Sequence, residues 1–264
     1  MEITLVPIAG LCNRMNAITS GLQYLKNNPN CKMEILWWKS HDCRVWFSDL
    51  FEDITPNVKR MHSLIKDRPS TLRNLYIPGY FRKFFYDFAM TPIYNAQDFD
   101  KLTEGKKKIY VACHNNWNQY LIKESLADIF RPTQELRNRI SDITKDWNKE
   151  DVIGLHIRRT DNAIAIEKSP ISRFYTLMDS EIDNNCKVRF YLATDDEKIK
   201  QDMKKKYGER IITLNLSLRR NTTQGMKDAV VDLFCLGSTS KIIGSHHSTY
   251  SIIASQLYNI DLIV

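Results

Sequence analysis

From residue 151 to the last residue, short aliphatic runs alternate with longer segments whose apolar residues recur at helical spacing. Few folds suit that alternation, because parallel strands need helical crossovers and the helices need a sheet to cover. Residues 151–156, 188–193, 210–214, 241–244 and 261–264 read as strands. Residues 172–183, 195–207, 222–236 and 248–258 read as the intervening helices, the third with Met226, Ala229, Val230 and Leu233 inward. The expectation is an α/β fold with a parallel sheet.

The first half is less regular. Residues 2–7 read as a strand that runs into Ala9-Gly10-Leu11-Cys12-Asn13-Arg14 and then a helix carrying Met15, Ile18, Leu22 and Leu25. A strand, a turn and a helix N-terminus form an anion site in principle, since the first helical amides lack intrahelical partners. Residues 32–38 and 108–113 are further strands, the latter delivering His114, Asn115, Asn116, Trp117 and Gln119 to its end. Between 39 and 100 the pattern blurs. There Tyr80, Phe81, Phe84, Phe85, Tyr86 and Phe88 crowd together, either as a stacking surface for a sugar or, the reading favoured by aromatic burial, as irregular packed core. Arg131-Pro132-Thr133 opens a helix expected to reach Trp147, with Leu136, Ile140, Ile143 and Trp147 on one face. The change of rhythm there sets the expected domain boundary, 1–130 and 131–264.

With 43% hydrophobic and 26% charged residues, the 264-residue chain has the composition of a folded globular protein rather than a disordered one. Its formal charge of +7 favours acidic partners, among them nucleotides, nucleic acids and anionic membrane surfaces. The lysines and arginines are dispersed, with short clusters such as Lys106-Lys107-Lys108, so a dedicated nucleic-acid-binding protein is not indicated. Six cysteines show neither a CxxC pair nor zinc-like spacing. With no leader and no apolar run of spanning length, they point to a reducing cytoplasm. Peripheral membrane association stays open.

Four segments of the second half would converge at one sheet edge. Ile153-Gly-Leu-His-Ile-Arg-Arg-Thr-Asp161 begins as a buried strand and ends in His156, Arg158, Arg159 and Asp161. Paired arginines at a strand's carboxyl end suit a multiply charged anion, although a surface pair held by Asp161 is the plain alternative. Thr194-Asp195-Asp196 marks a strand-to-helix turn where at least one aspartate is expected to be an N-cap. Asp232 lies on an otherwise apolar run; it either accepts the N1–H and 2-amino donors of a guanine or makes a helix-surface ion pair. In Gly244-Ser245-His246-His247-Ser248-Thr249 a strand passes into a helix N-terminus, whose hydroxyls and amides would cradle phosphate oxygens. A metal reading of His246-His247 lacks a third ligand.

Together these residues resemble the fucosyltransferase superfamily that contains α1,2-, α1,6- and protein O-fucosyltransferases. His156-Ile-Arg-Arg-Thr-Asp161 is similar to its His-x-Arg-Arg-x-Asp motif, and Tyr191-Leu-Ala-Thr-Asp-Asp196 to its second motif, most closely in the α1,6 branch. Asp232 and the Ser245–Ser248 turn follow the order of the third. The Gly10–Arg14 turn resembles the glycine-rich N-terminal loop, and Trp117-Asn-Gln119 an aromatic-x-Gln element of the α1,2 branch.

The resemblance implies a GT-B architecture: two Rossmann-like domains facing across a cleft, the first on the acceptor side and the second holding the nucleotide sugar. It implies an inverting, metal-independent glycosyltransferase that moves fucose from GDP-fucose to a hydroxyl of a glycan, with no cofactor. Arg158 would bind the β-phosphate and stabilise departing GDP, with Arg159 assisting. His156 and Asp232 would contact the guanosine, and Ser248 a phosphate, with Asn13, Arg14, Asp195, Ser245, His247 and Thr249 completing the binding set. Asn162 stands where the α1,6 enzymes have lysine, and Glu167 lies near but out of register with their acid, so Asp161 and Glu167 are both candidates for the general base. Two rivals remain: another sugar nucleotide as donor, or a non-catalytic nucleotide- or polyanion-binding protein.

Overall fold

The computed structural model describes residues 1–61, 77–91, 98–120, 124–148, 151–159, 163–217 and 219–264. The chain divides into two compact units, each built on a five-stranded parallel sheet. The first comprises residues 1–124, 129–133 and 219–226, and the second 125–128, 134–218 and 227–264. The chain therefore passes between the units several times, where the sequence led us to expect one crossing at 130.

In the first unit the strands are β1 (Glu2–Pro7), β2 (Lys32–Trp37), β3 (Val58–Arg60), β4 (Phe88–Met90) and β5 (Lys108–Cys113), in the order β3-β2-β1-β5-β4. The helices are α1 (Leu11–Asn27) and two single turns, α2 (Gly79–Arg82) and α3 (Phe99–Leu102). Val6, Ile8, Leu36, Trp38, Met61, Tyr110 and Ala112 form a core on this sheet. One expectation fails in this unit: Tyr80, Phe81, Phe84 and Phe85 are exposed rather than packed. Trp117 of the aromatic-x-Gln element is wholly buried, its indole donating to the Ala17 carbonyl at 2.9 Å.

The second unit holds β6 (Val152–Ile157), β7 (Arg189–Thr194), β8 (Ile211–Ile212), β9 (Lys241–Gly244) and β10 (Asp261–Ile263), ordered β10-β9-β6-β7-β8. Read from β8, this is the 3-2-1-4-5 order of a doubly wound, Rossmann-like sheet, with the first strand at the centre. Crossovers are made by α6 (Ala163–Lys168) and α7 (Ile171–Asn184), α8 (Glu197–Tyr207), α9 (Thr223–Gly237) and α10 (Thr249–Tyr258), preceded by α4 (Leu126–Ile129) and α5 (Gln134–Thr144). Helix α5 stops short of the expected Trp147, whose ring instead packs on Tyr191 at 5.2 Å.

Strand β6 is buried along its whole length, as an aliphatic run between two helical layers should be. Ile153, Leu155 and Ile157 point to one face, against Phe174, Met178 and Met203. On the other face Gly154 lets α9 approach closely: a Cβ there would stand 2.7 Å from Leu236 Cδ1 and 2.8 Å from Thr239 Oγ1. His156 lies two residues further along this same face, so close packing of α9 and the site residue are set by one strand.

Candidate functional site

The chain leaves β6 toward β7 on one side and returns at β9 on the other, which makes the carboxyl ends of β6 and β9 the topological switch point of the sheet. Open α/β sheets bind ligands in the crevice formed there. Ser245, fully enclosed, ties the two ends together: its hydroxyl donates to the His156 carbonyl at 3.1 Å and accepts the Arg158 amide at 3.0 Å.

Arg158 and Arg159 emerge half-buried. The Arg159 amide donates to Asp195 Oδ1 at 2.8 Å, its guanidinium donates to the Ser169 carbonyl at 2.7 Å, and it lies over the Phe174 ring at 6.0 Å. Burial pulls this guanidinium below its ordinary pKa, opposed by Asp195 and Asp196. Ser169 accepts the His246 amide at 2.8 Å, so one buried serine braces both the arginine and the β9–α10 turn. Of the two aspartates, Asp196 is the N-cap of α8, accepting from Lys198 and Ile199, while Asp195 is left to hold the arginine loop.

The turn into α10 is shaped for an anion. His247 is exposed and in left-handed backbone (φ 51°), a conformation that non-glycine residues adopt at some cost. Its ring nitrogen is 3.5 Å from Lys168 Nζ. Ser248 occupies the N-cap position yet makes no capping bond; the residue is 1% exposed and its Oγ lacks a hydrogen-bond partner. Thr249 follows, half-buried, as the first residue of α10. A buried hydroxyl without a partner beside unpaired helix amides is the polar arrangement a phosphate oxygen would complete.

His156 is 7% exposed, its ring stacked on Tyr250 at 5.0 Å, and its Nδ1 also lacks a partner. Burial, with the Arg158 charge adding to it and Asp195 opposing it, pulls its pKa down to about 4, so the ring is neutral at pH 7. The Tyr250 hydroxyl donates to Asp232 Oδ2 at 2.9 Å, and Tyr191 donates to Asp232 Oδ1 at 2.6 Å. Asp232 is thus an enclosed carboxylate with two tyrosine donors, its pKa raised by burial and lowered in part by those bonds. Beside it on α9, Asp228 accepts from Arg139 at 2.7 Å and from the Ser217 amide at 3.1 Å, fixing the β8–α9 loop.

Of the base candidates, Asp161 falls outside the described residues, and Glu167 is exposed on α6. Among the described residues no group of three His, Cys, Asp or Glu side chains could hold a metal ion.

The first unit has its own loop at the carboxyl end of β1. Ala9 takes the left-handed conformation (φ 63°), whereas Gly10 has φ −71°, open to any residue, with nothing within 4 Å of where a Cβ would lie. The glycine therefore leaves free space above the α1 N-terminus. Arg14 is fully buried and braces the turn, donating to the carbonyls of Ala9 (2.8 Å) and Trp38 (2.6 Å) and to Ser40 Oγ (2.8 Å). Asn13 sits half-buried in the first turn of α1.

Tyr250, Tyr191 and Ser169 complete the second unit's site; Tyr191 opened the second motif without a role assigned to it, and Tyr250 and Ser169 were not singled out from sequence. Tyr250 left a trace there, as the aromatic directly after the Ser248-Thr249 start of α10.

A family model described as "Alpha-(1,6)-fucosyltransferase N- and catalytic domains" matches residues 104–226, a span that includes Arg158, Arg159 and Asp195. Nothing among curated protein sequences matches the chain. Solved structures extend the likeness over both units. Fucosyltransferase NodZ from Bradyrhizobium is 14% identical, covering 96% of this chain and 91% of its own, with a TM-score of 0.61. FUT1 of Arabidopsis thaliana, solved with GDP, is 13% identical over 99% of this chain and 69% of its own (TM-score 0.61). POFUT1 is 8% identical over 99% and 97% (TM-score 0.57). The match to that family model spans less than half of the chain. At these identities the structural likeness is one of fold, and it gives the chain a GT-B-like class: two Rossmann-like units. The family match ends inside α9, so Asp232 and the Ser245–Thr249 turn are joined to it through the sheet rather than the sequence profile.

Proposed function

We propose that the protein transfers fucose from GDP-fucose to a hydroxyl of a glycan, inverting the anomeric carbon and requiring no metal. The observation that carries this reading is that the β6–β9 switch point holds both Arg158, whose amide is tied to Ser245 at the end of β9, and, three residues beyond Ser245, the unpartnered Ser248 hydroxyl at the α10 N-terminus. The NodZ crystals soaked with GDP-fucose and the POFUT1 complex with GDP-fucose supply the analogy for the donor.

In this reading the diphosphate lies between Arg158 and the first turn of α10, with Ser248 Oγ and the Thr249 amide on its oxygens and Arg159 held in place by Ser169 and Asp195. As the acceptor oxygen bonds to C1, the C1–O bond to phosphate breaks and negative charge grows on the β-phosphate of GDP. Arg158 stabilises that charge, the role a divalent cation fills elsewhere. The acceptor proton passes to a carboxylate, for which Asp161 and Glu167 are the candidates. His156 Nδ1 and Asp232 face the guanosine. Tyr250 covers both in the present state, so the base takes its place by exchanging guanine N1–H for the tyrosine hydroxyl on Asp232. Ser245 and Arg14 act by holding loops, and His247 and Asn13 line the two turns.

Residues 1–130 would serve the acceptor and 131–264 the donor. Six free cysteines support a reducing compartment, the cytoplasm. The test is calorimetry with GDP and UDP, followed by product detection with GDP-fucose, a glycan array and excess chelator. GDP binding with chelator-insensitive transfer is expected; binding of UDP without GDP would sink the reading.

A further inference from the structure

Four aromatic rings stand in water at one edge of the first unit. Tyr80 is 68% exposed, Phe81 44%, Phe84 71% and Phe85 57%, all on α2 and the turn after it. A single exposed apolar residue calls for no explanation, but a contiguous group does. The segment beneath them is pinned. Arg82, buried, donates to the Ile77 carbonyl at 3.0 Å and lies over Tyr110 at 4.5 Å. The Tyr86 hydroxyl donates to Thr4 at 3.2 Å. The intervening rings are thereby held outward.

Cations share this edge. Lys83 Nζ lies 5.3 Å from the Phe84 ring centre. Asp87 accepts the amides of Lys107 at 2.8 Å and Lys108 at 2.9 Å, which ties the exposed run Lys106-Lys107-Lys108 to the end of the aromatic turn. Topology separates the patch from the Ala9–Arg14 turn. Strands β4 and β5 begin beside the patch, whereas the turn follows the carboxyl end of β1, which runs parallel to β5 with Glu2 opposite Lys108. The two features lie at opposite ends of one sheet, so the aromatic patch is not part of the ligand crevice side.

We propose that this edge docks on an anionic lipid surface, with the four rings entering the interfacial layer and Lys83 and the 106–108 lysines paired with headgroups. Aromatic rings favour the headgroup level, and basic clusters are drawn to anionic leaflets; one weak signal supports the other. The chain's +7 charge adds longer-range attraction. A second copy of the chain fits less well, because a two-fold contact here would set the same lysines against each other.

The full chain is sedimented with phosphatidylcholine vesicles and with vesicles containing about 30% phosphatidylserine, an anionic fraction that gives the surface potential on which such docking depends. We expect about tenfold or greater preference for the anionic vesicles, weakening with salt. Phe81→Ser/Phe84→Ser/Phe85→Ser and Lys106→Gln/Lys107→Gln/Lys108→Gln should each lower partitioning about tenfold while melting temperature and GDP binding stay unchanged. No vesicle binding by the unaltered protein overturns the proposal, as does undiminished binding by both variants. Dimers in ultracentrifugation without vesicle binding would assign the patch to a second copy and overturn it too.

Discussion

Ser245 holds Arg158 by its backbone: the buried hydroxyl at the end of β9 accepts the Arg158 amide at 3.0 Å while donating to the carbonyl of His156 at 3.1 Å. Two strand ends are therefore fixed by one oxygen, and the arginine side chain departs from a rigid point. Ser245→Ala removes the hydroxyl that meets both the half-buried Arg158 amide and the His156 carbonyl, which costs about 1–3 kcal/mol. The expected result is a lower melting temperature together with a raised KM for the donor, and a smaller change in kcat. An unaltered melting temperature and KM would remove Ser245 from the positioning role.

Arg158 itself is expected to act on the leaving group. Arg158→Ala should lower single-turnover transfer by about two to three orders of magnitude, as loss of one donor to a developing anion does. Far-ultraviolet circular dichroism should show the fold retained. Arg158→Lys should recover only part of the rate, because an ammonium lacks the planar two-donor fork. Near-normal transfer by the alanine variant would refute the assignment.

Tyr250 and Asp232 make opposite predictions for GDP binding. Tyr250→Phe keeps the ring over His156 but releases Asp232 Oδ2, whose donor sits at 2.9 Å. If guanine displaces that hydroxyl, the variant binds GDP severalfold more tightly, at a stability cost of about 1 kcal/mol. Asp232→Asn removes the charged acceptor and should weaken GDP binding about tenfold or more. Calorimetry on both variants decides; weaker binding by Tyr250→Phe would make the tyrosine a ligand contact rather than a cover.

The sheet of the second unit was legible because β6 is a plain aliphatic run between two helical layers and its charged residues begin where burial ends. Convergence of Arg158, Asp195 and Ser245 was legible from their places after strand ends, whereas the switch point needed the strand order, which the structure supplies. Strands β3 and β4 were not legible, since Val-Lys-Arg and Phe-Ala-Met are too short to show alternation. The exposed rings of Tyr80–Phe85 were misjudged because aromatic density is the same signal for core and for surface patch; Arg82 and Tyr86, not composition, decide which side they face. Ser169 had no signal at all. A buried serine that braces two loops looks like any other serine until the loops are placed.

His156 sets a pH dependence. Its pKa falls from an ordinary 6.5 to about 4 on folding, chiefly through burial. Between those values the unfolded chain binds a proton that the folded chain does not, so stability rises with pH there and is lost as pH falls from 6.5 toward 4. The span corresponds to about 3 kcal/mol. His156→Phe keeps a ring against Tyr250 and removes the titration. Urea titrations from pH 7 to 4 should therefore show the unaltered protein losing stability relative to the variant over this window, and parallel curves would contradict the burial of a neutral imidazole. Asp232, whose pKa is raised, works in the opposite sense and cancels in the comparison because both proteins carry it.

Ser248 offers the sharpest separation of binding from stability. Its hydroxyl is enclosed, makes no capping bond and has no partner, so the folded protein gains little from it. Removing a buried, unsatisfied polar group is near neutral or slightly stabilising, whereas removing a group that meets a phosphate oxygen leaves that oxygen short of a donor. Ser248→Ala should therefore melt at the same temperature as the unaltered protein or above it, while GDP binds about tenfold more weakly. Ser248→Thr keeps the hydroxyl and should fall between the two. Differential scanning calorimetry paired with GDP titration measures both quantities on one sample. A drop in melting temperature with GDP affinity unchanged would show the hydroxyl serving the fold, and the phosphate would then have to be held by Arg158 and the α10 amides alone.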